Sequence, residues 1–257
     1  VTAPRAFLAA FLGCRNRASG ATNIEDSDSA SSVAIARHML RSLGLYEDPN
    51  HTSGYLIAPC EGQAAGKVLE QQVRDHLERG LGDVSPHRNW IVRRDLRLSD
   101  FQQYEHLAVL QRLIDDDKTN TLAVAIGRDY QVKPDVTVGE RVAEPPAKPL
   151  LHASVSCKLT LRSDRAQNVR LEAAILTRHR RGRQPHIVAV TAEPLPSRLT
   201  SLARGTGDVD ALYHVALPEL IDATSAVGTA KQRAALDEIV GQRRLLDFED
   251  LLPTLAV

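Results

Sequence analysis

Two kinds of hydrophobic pattern run along the chain, and the change from one to the other falls near its middle. Up to about residue 115 the apolar residues recur at three- and four-residue intervals, the spacing of a single buried helix face. This predicts helices over residues 4–12, 33–43, 63–81 and 101–115, with Leu69, Val73 and Leu77 on the inward face of the third. Between the first two, residues 19–32 (SGATNIEDSDSASS) are small and polar, which predicts a loop or arm that buries little surface. From residue 132 onward the period shortens to two. VKPDVTV (132–138), LLHASVSCKLTL (150–161), HIVAVTA (186–192) and LYHVAL (212–217) read as strands. Helical patterns at 164–179, around Arg198 and at 231–243 lie between and after them, and EPPAKP (144–149) is a loop between two strands. The expected architecture is α/β, a central mixed β-sheet flanked by helices. Its expected organisation is one domain over 1–257, with a mainly helical part at 1–115, a sheet core at 130–220 and a helical end at 221–257.

Composition narrows this without deciding it. The chain has 257 residues, 43% hydrophobic and 25% charged, enough to bury a substantial core. Its 32 basic and 32 acidic residues cancel, so any attraction to nucleic acid must be local. Such a place exists: between Lys158 and Arg183 stand eight Lys or Arg against two acids. Seven of the eight are Arg, which suits bidentate contacts to phosphate and guanine. Cys14, Cys60 and Cys157 are scattered, with no CxxC pair, so neither a disulfide framework nor a zinc site is expected and the usage points to a reducing cytoplasm. The run AFLAAFLGC after Arg5 is short for a secretion signal and reads as a first amphipathic helix. No stretch approaches the roughly 18 apolar residues of a membrane span.

The most informative strand is the one over 151–161. Its period of two sends His152, Ser154, Ser156, Lys158 and Thr160 to one face, and Leu151, Ala153, Val155, Cys157, Leu159 and Leu161 to the other. A Lys on a central strand needs an anionic partner or substrate. The ordinary alternative is a Lys paired with some acid on an open sheet face. Asp135 adds weight to the functional alternative, because Pro134 and Asp135 interrupt the neighbouring strand-like run, and both are poor strand formers. An Asp on one strand and a Lys on the next is the arrangement of PD-(D/E)xK nucleases, with Ser156 here where that motif has an acid. Glu172, three residues after the inward Val169 of the following helix, and Glu70, beside Leu69, are placed to supply further carboxylates. Taken alone, a Glu so placed is more often a rim salt bridge. Together with Asp135 they form a hard-oxygen set suited to Mg²⁺, one or two ions that would activate water and neutralise a phosphate while Lys158 orients or deprotonates the attacking water. The Cys157 side chain faces the apolar layer, and its backbone carbonyl is placed to serve as a metal ligand.

Arg162-Ser163-Asp164-Arg165 follows the same strand, with Ser163 placed to cap the next helix. Two guanidiniums suit O6 and N7 of two guanines, and the carboxylate between them suits the amino groups of cytosines, so adjacent G·C pairs are the expected target.

These runs also carry a family resemblance. LLHASVSCKLTLRSDRAQN, GRQPHIVAVTAEPLPSR, GTGDVDALYH and the terminal LAV, with GQAAGKVLE and SDFQQYEHL more thinly, resemble type II restriction endonucleases of the PD-(D/E)xK superfamily that recognise CCGG cores. The resemblance implies a magnesium-dependent enzyme cutting double-stranded DNA, with GCCGGC as the full site. It implies an active site of Asp135, Ser156, Lys158, Glu70 and Glu172, with Asp135 and the Cys157 carbonyl on the metal. Arg162, Asp164 and Arg165 would read the core, and Arg198 and Gln63, with Asp28 or Ser29, would contact further positions. A palindromic site implies at least a homodimer. In that family a tetramer is known, but the connection from Asp135 to Ser156 is shortened here, and residues 46–59 look like an added loop. Two other readings are a repair or recombination nuclease of relaxed specificity and a DNA-binding module without catalysis. The intact Asp135, Lys158 and Glu172 set argues against the second, and the RSDR segment against the first.

Overall fold

The computed structural model describes residues 5–15, 20–46, 58–127, 130–142, 147–204 and 208–257. The run of residues 46–59 thus lies largely outside the described residues, as do residues 144–146 of the expected loop at 144–149. Helix α1 (Arg5–Ala9) and the turn behind it bury Phe7, Leu8, Phe11 and Leu12, with the Phe7 ring stacked on Phe248 at 4.9 Å. The polar stretch that follows departs from the expected exposed arm. Thr22, Asn23, Ile24 and Glu25 are all buried. Each polar group there has a partner: Asn23 donates to the Phe11 carbonyl at 2.6 Å, and Glu25 accepts from the Thr22 amide at 2.9 Å and from Arg37 at 3.1 and 3.2 Å. Polarity forbids burial only when partners are lacking.

Helix α2 (Ala30–Ser42) starts three residues before the apolar pattern shows it, because Ser29 caps it by accepting from the Ser32 amide at 3.3 Å. Helix α3 (Gly62–Val84) buries Leu69, Val73 and Leu77 as its spacing predicts. There follow β1 (Trp90–Arg93), α4 (Glu105–Asp116), α5 (Thr121–Ile126), β2 (Val136–Glu140) and β3 (Leu150–Lys158). The remainder comprises α6 (Ser163–His179), β4 (His186–Thr191), α7 (Pro196–Ala203), β5 (Ala211–His214), α8 (Leu217–Val227), α9 (Ala230–Gly241), β6 (Leu245–Asp247) and α10 (Leu251–Leu255). Strand β2 begins after Asp135, so Pro134 and Asp135 lead into the strand instead of interrupting its middle. Pro lacks the amide that a ladder position requires, and pairing starts once it is passed. LYHVAL splits likewise: β5 ends at His214 and α8 opens with Pro218 in its first turn, where a missing amide costs nothing.

The protein is α/β, built on one six-stranded sheet in the order β1-β2-β3-β4-β5-β6. β1, β2 and β3 pair antiparallel, and β3 to β6 run parallel. The parallel pairs need crossovers, and α6, α7 and the α8–α9 pair supply them. These helices pack on one another, and α2 joins them against α8. Helix α3 lies along β1, β2 and β3 and touches α10. β3 is covered on both faces: His152, Ser154 and Ser156 are as buried as Leu151, Ala153 and Val155. One continuous apolar cluster runs from Phe7 through the strands to Leu255. Among the described residues no helix is long and apolar enough to cross a membrane.

Candidate active site and DNA-reading face

The pairing of β2 with β3 brings the first two site residues together. Val136 stands opposite Val155 in an antiparallel ladder, so Asp135, one step back, reaches the end of β3. One oxygen of its carboxylate, Oδ2, accepts from the Lys158 ammonium at 2.6 Å and from the Cys157 amide at 2.8 Å. The Lys158 and Asp135 side chains keep only 19% and 20% of their surface exposed, so this is a largely desolvated pair. Burial works against the charged form of Lys158, but the Asp135 and Glu172 carboxylates outweigh it and hold the pKa above its ordinary value. Lys158 is therefore an ammonium at neutral pH.

Glu172 comes from the third turn of α6, and Ser156 Oγ donates to its Oε2 at 3.3 Å. Burial raises its pKa, Lys158 lowers it, and the like charge of Asp135 raises it further. Glu70, on α3, pairs with Arg94, whose other nitrogen donates to Gln71 at 2.8 Å. Arg94 lies just past β1 and is not singled out by the sequence; two adjacent Arg at the end of a four-residue strand carry no pattern of their own. The Cys157 thiol is buried and its pKa lies well above the ordinary value, through desolvation first and the carboxylates of Asp135 and Glu70 next. It packs, as the strand period predicts. Among the described residues, no three His, Cys, Asp or Glu side chains gather closely enough to enclose a metal ion by themselves. Two carboxylates, Asp135 and Glu172, around one Lys still fit Mg²⁺. That ion is held by one or two carboxylates while water and phosphate oxygens complete its shell.

The segment after β3 leaves the sheet and turns into α6. Arg162 takes the N-cap position with extended backbone (φ −70°, ψ 161°), and Ser163 is the first helical residue, so the expected capping by Ser163 does not form. Arg162, Ser163 and Asp164 are exposed, and Arg165 turns back to donate to Thr160 Oγ1 at 2.9 Å. A polar cleft beside them is lined by Arg15, Asn23, Gly62, Thr160, Arg162 and Arg165. Gly62 opens α3 there at φ +56°, a left-handed conformation that glycine adopts freely, and exposed Gln63 follows it. Gln63 and Glu70 are seven residues apart on α3, about 10 Å along one face. A single helix thus spans from the cleft to the cluster around Lys158.

Arg198 lies in the first turn of α7 and bonds to Asp26, with Glu193 3.7 Å from its other terminal nitrogen. Its guanidinium holds the Asp26 carboxyl below the usual carboxylate range. Asp26 was missed by sequence reading, which pointed to Asp28 and Ser29 nearby. Asp28 is exposed, and Ser29 is engaged in capping α2.

The chain from residue 6 to residue 257 matches a family model described as NgoMIV restriction enzyme, in two segments covering residues 6–146 and 141–257. The chain belongs to this family. A curated relative, the type II restriction enzyme NgoMIV of Neisseria gonorrhoeae, is 37% identical over 227 residues, covering 76% of this chain and 79% of its own length. Within the NgoMIV restriction enzyme family, the six-stranded mixed sheet flanked by helices is the restriction-endonuclease-like fold. Asp135, Ser156, Lys158 and Glu172 meet in one cluster here, Glu70 is held beside it by Arg94, and Arg162 and Arg165 line one cleft with Gly62, the residue before Gln63.

Proposed function

We propose that this protein is a Mg²⁺-dependent type II restriction endonuclease that hydrolyses double-stranded DNA at a palindromic site with a CCGG core, GCCGGC in full. The observation that carries the reading is the continuity of two functions along β3 and α6. Ser156 and Lys158, joined to Glu172 and Asp135, stand four to nine residues from the exposed Arg162 and Asp164 and the half-buried Arg165. Base contacts and the scissile phosphate are thereby held at a fixed spacing.

Asp135 and Glu172 would hold Mg²⁺, with the Cys157 carbonyl as a further ligand and two ions per site as the expected count. When bound, the cation supplies charge neutralisation at the phosphate and acidifies water. The protein's own groups do the rest. Lys158, an ammonium at neutral pH, donates to a phosphate oxygen or to the attacking water and stabilises the charge that develops there. In this arrangement it is a donor and positioning group. Ser156 keeps Glu172 turned toward the cluster, and Glu70 adds a carboxylate on the α3 side. Arg162 and Arg165 would reach guanine edges and Asp164 cytosine amino groups, with Gln63 and Arg198, and the turn at Asp28 and Ser29, contacting the remaining pairs. One such segment reads one half-site, so the working enzyme is at least a homodimer, with a tetramer as the larger assembly. A cytoplasmic location in a bacterial cell fits a DNA substrate and three reduced cysteines.

Digestion of a plasmid of known sequence with Mg²⁺, followed by run-off sequencing of the ends, tests this directly. Discrete fragments ending at CCGG-containing sites are expected. A smear would point to a nuclease of relaxed specificity, and tight binding without cleavage to a module that only recognises DNA.

A further inference from the structure

Glu193 is fully buried and takes no part in the chemistry above. It follows β4, in the loop before α7, and its two carboxylate oxygens go to two different chain segments. Oε2 accepts from the Leu161 amide at 2.7 Å, and Leu161 immediately precedes Arg162, the N-cap of α6. Oε1 accepts from the amide of Leu195, itself the N-cap of α7, at 3.0 Å. Arg198 Nη1 lies 3.7 Å from Oε2. The backbone of Glu193 is tied as well. Its amide donates to Thr191 Oγ1 at 3.1 Å, and its carbonyl lies 3.3 Å from His214 Nε2 on β5. One desolvated carboxylate thus fastens the start of the helix carrying Arg162, Asp164 and Arg165 to the start of the helix carrying Arg198.

We propose that Glu193 is a positioning residue for sequence specificity, fixing the relative placement of the two base-reading segments so that the core and the flanking pair are read together. Burying a lone carboxylate is costly unless its charge is used, and here amides from both segments and one guanidinium use it. An apolar residue would fill the space but leave the Leu161 and Leu195 amides without an acceptor. Glutamine keeps the shape but turns one acceptor into a donor facing an amide, so only one of the two segments stays fastened. The inference rests on the reading of Arg162 and Arg198 as base contacts.

The test uses the full chain and a set of duplexes, the cognate site and single-pair changes at core and flanking positions. Arg162→Ala, Arg198→Ala, Glu193→Gln and the double variant Glu193→Gln/Arg198→Ala are compared by kcat/KM on each duplex. Arg162→Ala should lose discrimination at the core and Arg198→Ala at the flanking pair. Glu193→Gln should lower the cognate-to-variant ratio at both, by about tenfold or more, and should add nothing at the flanking pair once Arg198 is gone. Equal slowing on every duplex with ratios unchanged, or ratios within about twofold of the parent, would overturn the proposal and leave Glu193 a purely structural acid. If Arg162→Ala and Arg198→Ala themselves leave all ratios intact, the base-reading assignment fails, and the inference with it. Near-UV circular dichroism checks folding. Should Glu193→Gln not fold, Glu193→Asp is read in the same assay. It keeps the charge but is one methylene too short to span both amides, so unchanged ratios there would refute the positioning role.

Discussion

Replacing Asp135 by Asn probes the centre of the site with almost no change of shape. In the parent, one oxygen takes two donors, the Lys158 ammonium at 2.6 Å and the Cys157 amide at 2.8 Å. The neutral amide oxygen can still accept from both, but the charge-assisted bond to Lys158 becomes an ordinary one of roughly half the strength. The pair is mostly desolvated, with about a fifth of each side chain exposed. The stability cost is therefore on the order of 1–3 kcal/mol, too little to unfold a domain of ordinary stability at 25 °C. The effect on cleavage is larger. On the proposed assignment the substitution removes an anionic anchor for Mg²⁺ and alters the charge at the phosphate, so the rate should fall on the order of 10³-fold or more, about 4 kcal/mol of transition-state stabilisation. Binding should follow the opposite course. Removing a negative charge from a surface that meets phosphates leaves affinity unchanged or tighter when measured without metal. Single-turnover cleavage of a short GCCGGC duplex in Mg²⁺ and gel-shift titration in its absence separate the two effects. Cleavage within tenfold of the parent would refute the assignment of Asp135 to the reacting phosphate.

Other parts of the molecule carry further expectations. Lys158→Ala should also abolish cleavage while specific binding persists, and full turnover by that variant would remove it from the site. Arg162→Ala or Arg165→Ala should each cost about 1–3 kcal/mol of discrimination at one G·C pair; uniform weakening across competitor sequences would make them phosphate contacts instead. Leu69→Ala, in the buried face of α3 beneath Glu70, should cost about 2–5 kcal/mol in denaturant unfolding, and a loss under 1 kcal/mol would mean α3 is not clamped to the sheet. Burial lowers the pKa of both His152 and His214 to about 4, from 6.5 in the open chain. The unfolded chain thus binds more protons across that interval, and stability falls as pH drops from about 6.5 toward 4, by roughly 3 kcal/mol for His152. Melting temperatures at pH 7 and pH 5 should show this slope, and His152→Gln should flatten part of it; an unchanged slope would mean His152 does not titrate with unfolding.

What could be read from the sequence and what could not follows from how local each signal is. β3 announced itself through nine residues of clean alternation, and α3 through Leu69, Val73 and Leu77 at helical spacing. β1 and β6, at four and three residues, are shorter than the window any period needs. Within the polar stretch 19–32, the burial of Asn23 and Glu25 is invisible to composition, which sees polar atoms but not their partners at Phe11 and Arg37, twelve residues away in either direction. Lys158 and Asp135 were legible because each breaks a local rule, a charge on a central strand and a Pro-Asp pair in an apolar run. Arg94, Asp26 and Glu193 break no local rule, and their roles exist only through contacts 24, 172 and 32 residues distant.

Those distant contacts share a geometric cause. β3 and β4 are parallel and in register from Ala153 opposite His186 to Lys158 opposite Thr191. Their ends therefore open onto the same edge of the sheet, and β5 follows with His214 opposite Thr191. Whatever comes just past each strand is gathered there: Leu161 and Arg162 after β3, Glu193 and Leu195 after β4, Val215 and Ala216 after β5. In open sheets with parallel strands this carboxyl-terminal edge is where ligands bind, and the antiparallel entry of β2 delivers Asp135 to the same edge from the other side. A one-residue slip of β4 would carry Glu193 away from the Leu161 amide and turn each side chain of the strand to the opposite face of the sheet. On the proposed reading of Arg162 and Arg198 as base contacts, the buried carboxylate ties the register of the sheet to the spacing of those contacts, so specificity would depend on strand alignment as well as on the side chains that face the DNA.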